Sequence, residues 1–517
     1  MTSALPLAPI LLPFGVGLLC LLPMRRHLKA GLALLGTLLM FVLSLLLVRA
    51  TADGTVLVSE LGGWKAPFGI VMTADRLSAY MSALASISAI FAVWFMVAAE
   101  DRVREKHHAF ALTMFLFTGV QLSFLTGDLF NLFVAFEVML VASYALAVLG
   151  STREQLREGF RYIVMNLAAS SLLVAACGLT YGTLGTLNFA HLAQRSIELG
   201  PRTTVTALAV LLMTVFASKG ALFPLGFWLP GTYPALPHAT SAFFAAILTK
   251  VGVYALIRVL TTVFQADSGL PQTFLLGLGA ATMLFGALGA LSQREWRRIL
   301  SFTVMGSVGY LAFGVGLGTP DALRAALVYV AVSVLVTLAM FLIAAVAERA
   351  GGTPLTRHRR GFIDRMPLLA ASYLLCALTV AGLPPTAGFV AKYALVRAGI
   401  AQGSTLAIIA VVCALLASLI TLYALLSVWR DFFWGKADKT QPIHPVPDAQ
   451  QAPAYVASAL VAGLSLFAGP LFTHAEATTR ELRDQQHYIR SILGDRPVII
   501  PPEPQGNELL KEKGGTH

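Results

Sequence analysis

Residues 217–263 read ASKGALFPLGFWLPGTYPALPHATSAFFAAILTKVGVYALIRVLTTV. The second half, 239–263, is apolar for long enough to cross the ~30 Å hydrocarbon core of a bilayer as a helix. Lys250 lies near the middle of that run, and Lys219 stands just ahead of Pro224 in the apolar run before it. A lysine at a helix centre costs about 2.5–3.5 kcal/mol on insertion scales. Proline removes a helix hydrogen bond, and carbonyls freed at membrane depth persist only where protein or water satisfies them. A charge beside a broken membrane helix is the pattern of an ion or proton site. The stretch therefore predicts an integral membrane protein built for transport.

The rest of the chain agrees. Of its 517 residues 57% are hydrophobic and 12% charged, against about 25% charged in soluble proteins. Apolar stretches recur at about 4–24, 30–48, 77–99, 109–125, 129–149, 162–183, 203–226, 239–263, 273–292, 299–318, 325–347, 368–396, 404–429 and 453–473. This pattern predicts an all-α membrane fold of fourteen transmembrane helices, because an open strand in lipid leaves backbone groups unpaired. A barrel would show alternating ten-residue segments, and these runs are continuous. The first run has no basic residue ahead of it and Arg25 and Arg26 behind it, so it reads as a retained span rather than a cleaved signal.

Charge sets the orientation. The net +11 does not point to nucleic acid, because the basic residues sit in connections between spans. Connections after odd-numbered spans hold 20 Lys and Arg, and those after even-numbered spans hold 7. The bias predicts a multi-pass protein of a bacterial inner membrane with both termini outside. Between the second and third spans, TVLVSEL and FGIVMT predict a small hairpin around Gly62 and Gly63. In the polar tail, AEATTRELRDQQHYIRSIL predicts a surface helix and PVIIPPEPQ an extended segment. Neither segment carries recognisable chemistry in sequence.

Four charges lie well inside spans: Glu137, Lys219, Lys250 and Lys392. Glu137 is about 13 Å along its helix from Asp128, too deep to reach the headgroups. Lys392 follows Pro384 and Pro385 as Lys219 precedes Pro224, so the seventh and twelfth spans are predicted to break. A kink with an unrelated lysine explains either alone; two in one chain favour a site. Arg258, near the outer end of its helix, is expected to snorkel to the headgroups. Five spans separate the two breaks, so they run in opposite directions through the membrane, which predicts two inverted five-helix repeats. The divisions follow as N-terminal helices and hairpin at 1–108, repeats at 109–263 and 273–430, and a last helix with its tail at 453–517. Cys20, Cys177, Cys376 and Cys413 all lie in apolar runs without a CxxC pair and read as small hydrophobes, not metal ligands. No histidine sits mid-span to hold haem.

Three stretches carry a family resemblance: FLTGDLFNLFVAFEVMLVASYAL at 124–146, residues 218–258 of the opening quotation, and GLPPTAGFVAKYAL at 382–395. They resemble the antiporter-like subunits shared by Mrp-type multisubunit cation/proton antiporters and respiratory complex I, over about residues 70–430. The GDLFNLFVAFE segment looks most like the D subunit of the Mrp-type complex. The resemblance implies two inverted repeats and a polar axis at the membrane centre, with Glu137, Lys219, Lys250 and Lys392 as its proton-transfer residues. It also implies no haem, flavin or iron–sulfur cluster in this chain, and work only within a larger hetero-oligomeric membrane complex. Where many relatives place His and Lys on a broken eleventh helix, this chain has Val332 and Thr337, so Ser333 and Thr337 are left to hold a water relay. The expected function is proton translocation in a Na⁺ or K⁺/proton antiporter. The alternative is a proton-pumping membrane subunit of an NADH–quinone oxidoreductase, without redox chemistry of its own. A pore or scaffold has no use for four costly buried charges.

Overall fold

A computed structural model describes residues 4–99, 107–200, 202–356, 360–435 and 444–494. It is a helical bundle with one small hairpin. The helices are α1 (Ala8–Leu21), α2 (Arg26–Ala50), α3 (Arg76–Ala99), α4 (Ala109–Leu125), α5 (Leu129–Val148), α6 (Arg153–Leu184) and α7 (Phe189–Leu199). Then come α8 (Thr203–Lys219), the short α9 (Leu229–Ala235), α10 (His238–Val263), α11 (Gly269–Ser292), α12 (Trp296–Gly316) and α13 (Pro320–Gly351). The last six are α14 (Pro367–Ala381), α15 (Ala387–Gln402), α16 (Thr405–Phe433), α17 (Asp448–Leu466), α18 (Ala468–Arg483) and α19 (Gln485–Leu493).

Local chemistry sets many of these boundaries. Asp128 caps α5 by accepting from the Asn131 N–H, and Thr152 with Gln155 forms a reciprocal capping box at the start of α6. Thr319, Thr386 and Ser404 cap α13, α15 and α16 in the same way. The expected hairpin is present: β1 (Leu57–Glu60) pairs antiparallel with β2 (Val71–Ala74), with Leu57 opposite Ala74. Thr126, ahead of α5, bridges to Met72 and ties the hairpin to the bundle.

Among the described residues, nine helices are long and apolar enough to cross a membrane, four shorter apolar helices accompany them, and α17–α18 form a pair bent by 75°. The most apolar windows of α10 and α13 are wholly buried, whereas those of α2 and α16 are about one-third buried or less. The bundle therefore has a protein-enclosed centre and a lipid-facing rim. Small residues permit its closest approach. A Cβ on Gly286 of α11 would lie 2.5 Å from the Gly306 backbone nitrogen of α12, and one on Gly309 would lie 2.7 Å from that of Met283.

Several boundaries differ from expectation. The seventh span stops at Lys219 rather than near 226, and the twelfth is two helices separated at Gly382–Thr386. α13 is one unbroken helix of 32 residues. The last span ends at Leu466, where Phe467 leaves helical geometry and the chain bends away as α18. The tail helix is thus longer than expected and interrupted at Asp484, while PVIIPPEPQ lies outside the described residues.

The backbone contact between α11 and α12 generates a prediction. Gly309→Val should cost about 1–3 kcal/mol through overpacking and lower the melting temperature of the purified protein. Gly277→Val, at a position with nothing within 4 Å, should leave it unchanged.

Candidate functional site

The α8 break leaves backbone groups that a straight helix would have paired. They are met one by one. The indole N–H of Trp228 donates to the Ser218 carbonyl at 3.4 Å, and the Phe223 N–H donates to Thr282 Oγ1 of α11 at 3.0 Å. Leu222 N–H reaches back to the Ala217 carbonyl at 2.9 Å. The broken end lies directly on α10, where a Cβ on Gly252 would stand 2.5 Å from the Gly220 nitrogen and 2.9 Å from the Lys219 carbonyl carbon. Only glycine allows that approach, and it places the Lys219 backbone beside the Lys250 turn.

Lys219 is buried and points toward α6. Its ammonium donates to Ser170 Oγ at 2.8 Å and to the Asn166 carbonyl at 3.1 Å, and it lies 5.6 Å from the centre of the Phe136 ring. Asn166 and Ser170 are one turn apart, so both face the lysine from a single stripe of α6. Glu137, next to Phe136 on α5, makes no ion pair with Lys219 in this conformation. Its buried Oε1 has no hydrogen-bond partner among the described residues.

Lys250 is fully buried on α10 and donates to the Ala245 carbonyl at 3.2 Å. Ala245 belongs to a widened π turn, Phe244–Leu248, in which the normal ladder is displaced and carbonyls become available. Thr249, the next residue after this turn, keeps a buried hydroxyl without a partner among the described residues.

Lys392, on α15, is held by the other break. Its ammonium donates to the Val380 carbonyl at 2.8 Å and the Ala381 carbonyl at 3.4 Å, both in the last turn of α14. Those carbonyls form the negative end of a half-helix, where a cation is stabilised. Pro384 and Pro385 lie in the connection that stops α14. The same ammonium reaches Ser418 Oγ of α16 at 3.1 Å and sits 4.1 Å from the centre of the Tyr310 ring. Tyr310 in turn donates to the Ala414 carbonyl and contacts Ser418 Oγ at 2.7 Å.

On α13, Ser333 is buried with a hydroxyl that has no partner among the described residues, and Thr337 is buried one turn further along. Val332 is buried as well and offers no polar atom.

Two charged clusters escaped the reading of the sequence. Arg258 does not snorkel. It is buried, and its guanidinium makes a two-pronged ion pair with buried Asp75, at 2.6 and 2.8 Å. Tyr254 and Tyr488 flank it, each ring centre 5.4 Å away. This planar fork satisfied on both prongs keeps the residue inside, where a lysine would have reached for water. At the opposite end of α10, Glu348 of α13 accepts from Arg297 of α12 at 3.2 Å and lies 3.0 Å from His238 Nε2. The spacing of Lys250, Tyr254 and Arg258 at one-turn intervals was the available signal for the first cluster.

Comparison with known proteins agrees with this architecture. The family model described as "NADH:quinone oxidoreductase/Mrp antiporter, TM" matches residues 126–421. The chain is 39% identical over 505 residues to the D subunit of the Na(+)/H(+) antiporter of Alkalihalophilus pseudofirmus, spanning 95% of this chain and 99% of that one. It is 38% identical to the D subunit of the probable K(+)/H(+) antiporter of Rhizobium meliloti, over 92% of this chain and 94% of that one. A chain in the structure of the Mrp complex from Dietzia sp. superposes with a TM-score of 0.88 at 27% identity, covering 95% of this chain and 99% of that chain. The chain belongs to the NADH:quinone oxidoreductase/Mrp antiporter membrane family, and within it to the D subunits of the multisubunit monovalent cation/proton antiporters.

Proposed function

We propose that this chain is the proton-translocating D subunit of a monovalent cation/proton antiporter, moving protons along Glu137, Lys219, Lys250 and Lys392 in exchange for Na⁺ or K⁺. It works in a complex with other antiporter subunits in a bacterial inner membrane. The observation that carries this reading is the company the lysines keep. Each ammonium is buried, and each is held by carbonyls or hydroxyls rather than by a carboxylate. A permanent structural charge at this depth is normally paired. These are poised instead to gain and lose a proton without pulling an ion pair apart.

Glu137 supplies the switch. When its carboxylate swings to Lys219 it stabilises the ammonium, and when it withdraws, the desolvated lysine favours release. Its unpartnered Oε1 supports the withdrawn state as the one described here. Lys219 then hands its proton to the Lys250 side, against whose turn its own backbone lies. Between Lys250 and Lys392 the relay runs through waters held by Ser333 and Thr337 on α13. The chain's departure from its relatives at Val332 and Thr337 is thereby accommodated.

The proposal includes fourteen passes: the nine long helices, α17 of the bent pair, and the four shorter apolar helices, of which α14 joins α15 to make the broken twelfth. It places both termini and the β1–β2 hairpin outside, with two inverted repeats at 109–263 and 273–430. The two breaks, one after Lys219 and one before Lys392, support that division.

Three predictions test the proposal. Leu355→Cys, in the loop between α13 and α14, should react with an impermeant thiol reagent only from the inside of oriented vesicles; labelling only from the outside contradicts the topology. Glu137→Ala and Lys219→Ala should each abolish antiport in vesicles carrying the assembled complex, and wild-type antiport by Glu137→Ala at normal expression removes the switch. Thr337→Val should slow proton transfer severalfold more than Val332→Ala, read by cation-dependent dequenching of a pH-sensitive dye. A silent Thr337→Val beside a dead Lys392→Ala would mean that protons bypass α13.

A further inference from the structure

Lys250, Tyr254 and Arg258 occupy successive turns of one face of α10, all three buried. They carry polar groups about 12 Å along the helix, from the middle of the span toward the hairpin face. There the stripe does not end in lipid. Arg258 is clasped by Asp75 and donates to the Tyr254 hydroxyl at 3.3 Å, and that hydroxyl donates to the Phe124 carbonyl of α4 at 2.7 Å. Beside Asp75, Glu481 of α18 accepts from the Arg76 backbone N–H at 3.3 Å, and one of its carboxylate oxygens lies 3.5 Å from Arg76 Nε. Glu481 also lines a groove of about 380 Å³ with Asp53, Arg76, Arg480, Asp484 and His487. The tail is fastened over this place. Gln485 donates to the Thr262 carbonyl at 2.8 Å, His487 Nε2 lies 2.9 Å from the Gly54 carbonyl, and Arg76 Nη1 donates to the Ala477 carbonyl at 3.2 Å.

We propose that Glu481 is the proton-exchanging residue of an entry on the hairpin face, joined to Lys250 through Asp75 and Tyr254. This rests on the antiporter reading and names a route that the reading lacks. The Glu481 carboxylate takes a proton from water in the groove and becomes a carboxylic acid. The proton passes inward through water ordered at the Asp75 carboxylate, which stays ionised against Arg258, to the Tyr254 hydroxyl. Tyr254 takes it on its oxygen, releases its own proton from the bond to the Phe124 carbonyl, and that proton ends through water on the Lys250 amine as ammonium. No electrons move, and Glu481 returns to its carboxylate. Arg258 keeps its charge throughout; it holds the carboxylate and the hydroxyl in line and is a positioning residue.

The groups facing Glu481 are Asp75 and Arg76 ahead of and at the start of α3, and Arg258 of α10. On the tail and the loop after α2 they are Arg480, Asp484, His487 and Asp53. Burial, reinforced by the Asp75 charge and opposed by the two arginines, holds the Glu481 carboxyl above the usual carboxylate range. The group is therefore protonated near neutral pH and empties as the medium on that face becomes alkaline. A purely structural clamp would be fixed by the same contacts, but its loss would not move a pH profile.

The test uses the whole complex in proteoliposomes, with the pH of the hairpin face stepped independently. Wild-type antiport should slow as that pH rises. Glu481→Gln should run at least about tenfold slower with a flat profile, and Glu481→Asp should keep both rate and profile. If Glu481→Gln keeps the wild-type rate and profile while Glu137→Ala is dead, the route is overturned and the antiporter reading stands. If both variants run like wild type, the Glu137 switch falls with the route, and the antiporter reading itself fails only if the wild-type complex shows no cation-dependent proton exchange. Against loss of assembly by the glutamine variant, Glu481→Cys can be treated after reconstitution with a carboxylate-bearing thiol reagent or an uncharged one of equal length. Rescue by the carboxylate alone supports the route, and equal behaviour with both reagents overturns it.

Discussion

Everything at the centre of this protein follows from one constraint: a backbone carbonyl freed inside an apolar bundle must find a donor. At the end of α14 two such carbonyls, Val380 and Ala381, are met by the ammonium of Lys392 from the next helix. In the π turn of α10 the Ala245 carbonyl is met by Lys250. The lysines and the irregular backbone therefore explain one another. A proline break without the lysine leaves orphan acceptors, and a lysine without the break has no acceptor and no reason to stay charged. That reciprocity gives the candidate site its geometry without a single strong ion pair among the three lysines.

The two buried arginine clusters use the opposite strategy. Arg258 with Asp75, and Arg297 with Glu348, are close pairs between elements distant in sequence. Removing one partner of such a pair leaves an uncompensated buried charge, which costs about 3–5 kcal/mol. They lie toward the two ends of α10, so the helix carrying Lys250 is anchored by ion pairs at both ends, with the Gly252 contact and the Tyr254 hydrogen bond to the Phe124 carbonyl between them. Anchored ends suit the proposed role of Lys250, in which its protonation changes while the backbone stays in place.

Much of this was legible in the sequence. Continuous apolar runs placed the long helices, strand-like runs around Gly62 and Gly63 placed the hairpin, and four charges with no business in lipid picked out the residues of the candidate site. What escaped notice has identifiable causes. Arg258 and Asp75 are 183 residues apart, so local reading sees only an arginine near a helix end. The tail reads as a surface helix because its apolar residues are few, and nothing local reveals that Glu481 and Tyr488 close over the hairpin face. The α8 break falls at Lys219, five residues ahead of the proline that announces it, because Gly220 and Ala221 leave the helix first, Ala221 with a left-handed φ of 62°. Finally, opposite charges in neighbouring spans suggest a pair, yet Lys219 turns to Ser170 and Asn166 instead.

That last point is where the account is most exposed, because it assigns Glu137 a moving part. The direct measurement is infrared difference spectroscopy of the reconstituted complex across a cation jump, comparing wild type with Glu137→Gln. The account predicts carboxyl bands that change on cation addition in the wild type and vanish in the variant, as the carboxylate moves between its withdrawn position and Lys219. Identical difference spectra from the two proteins would contradict it.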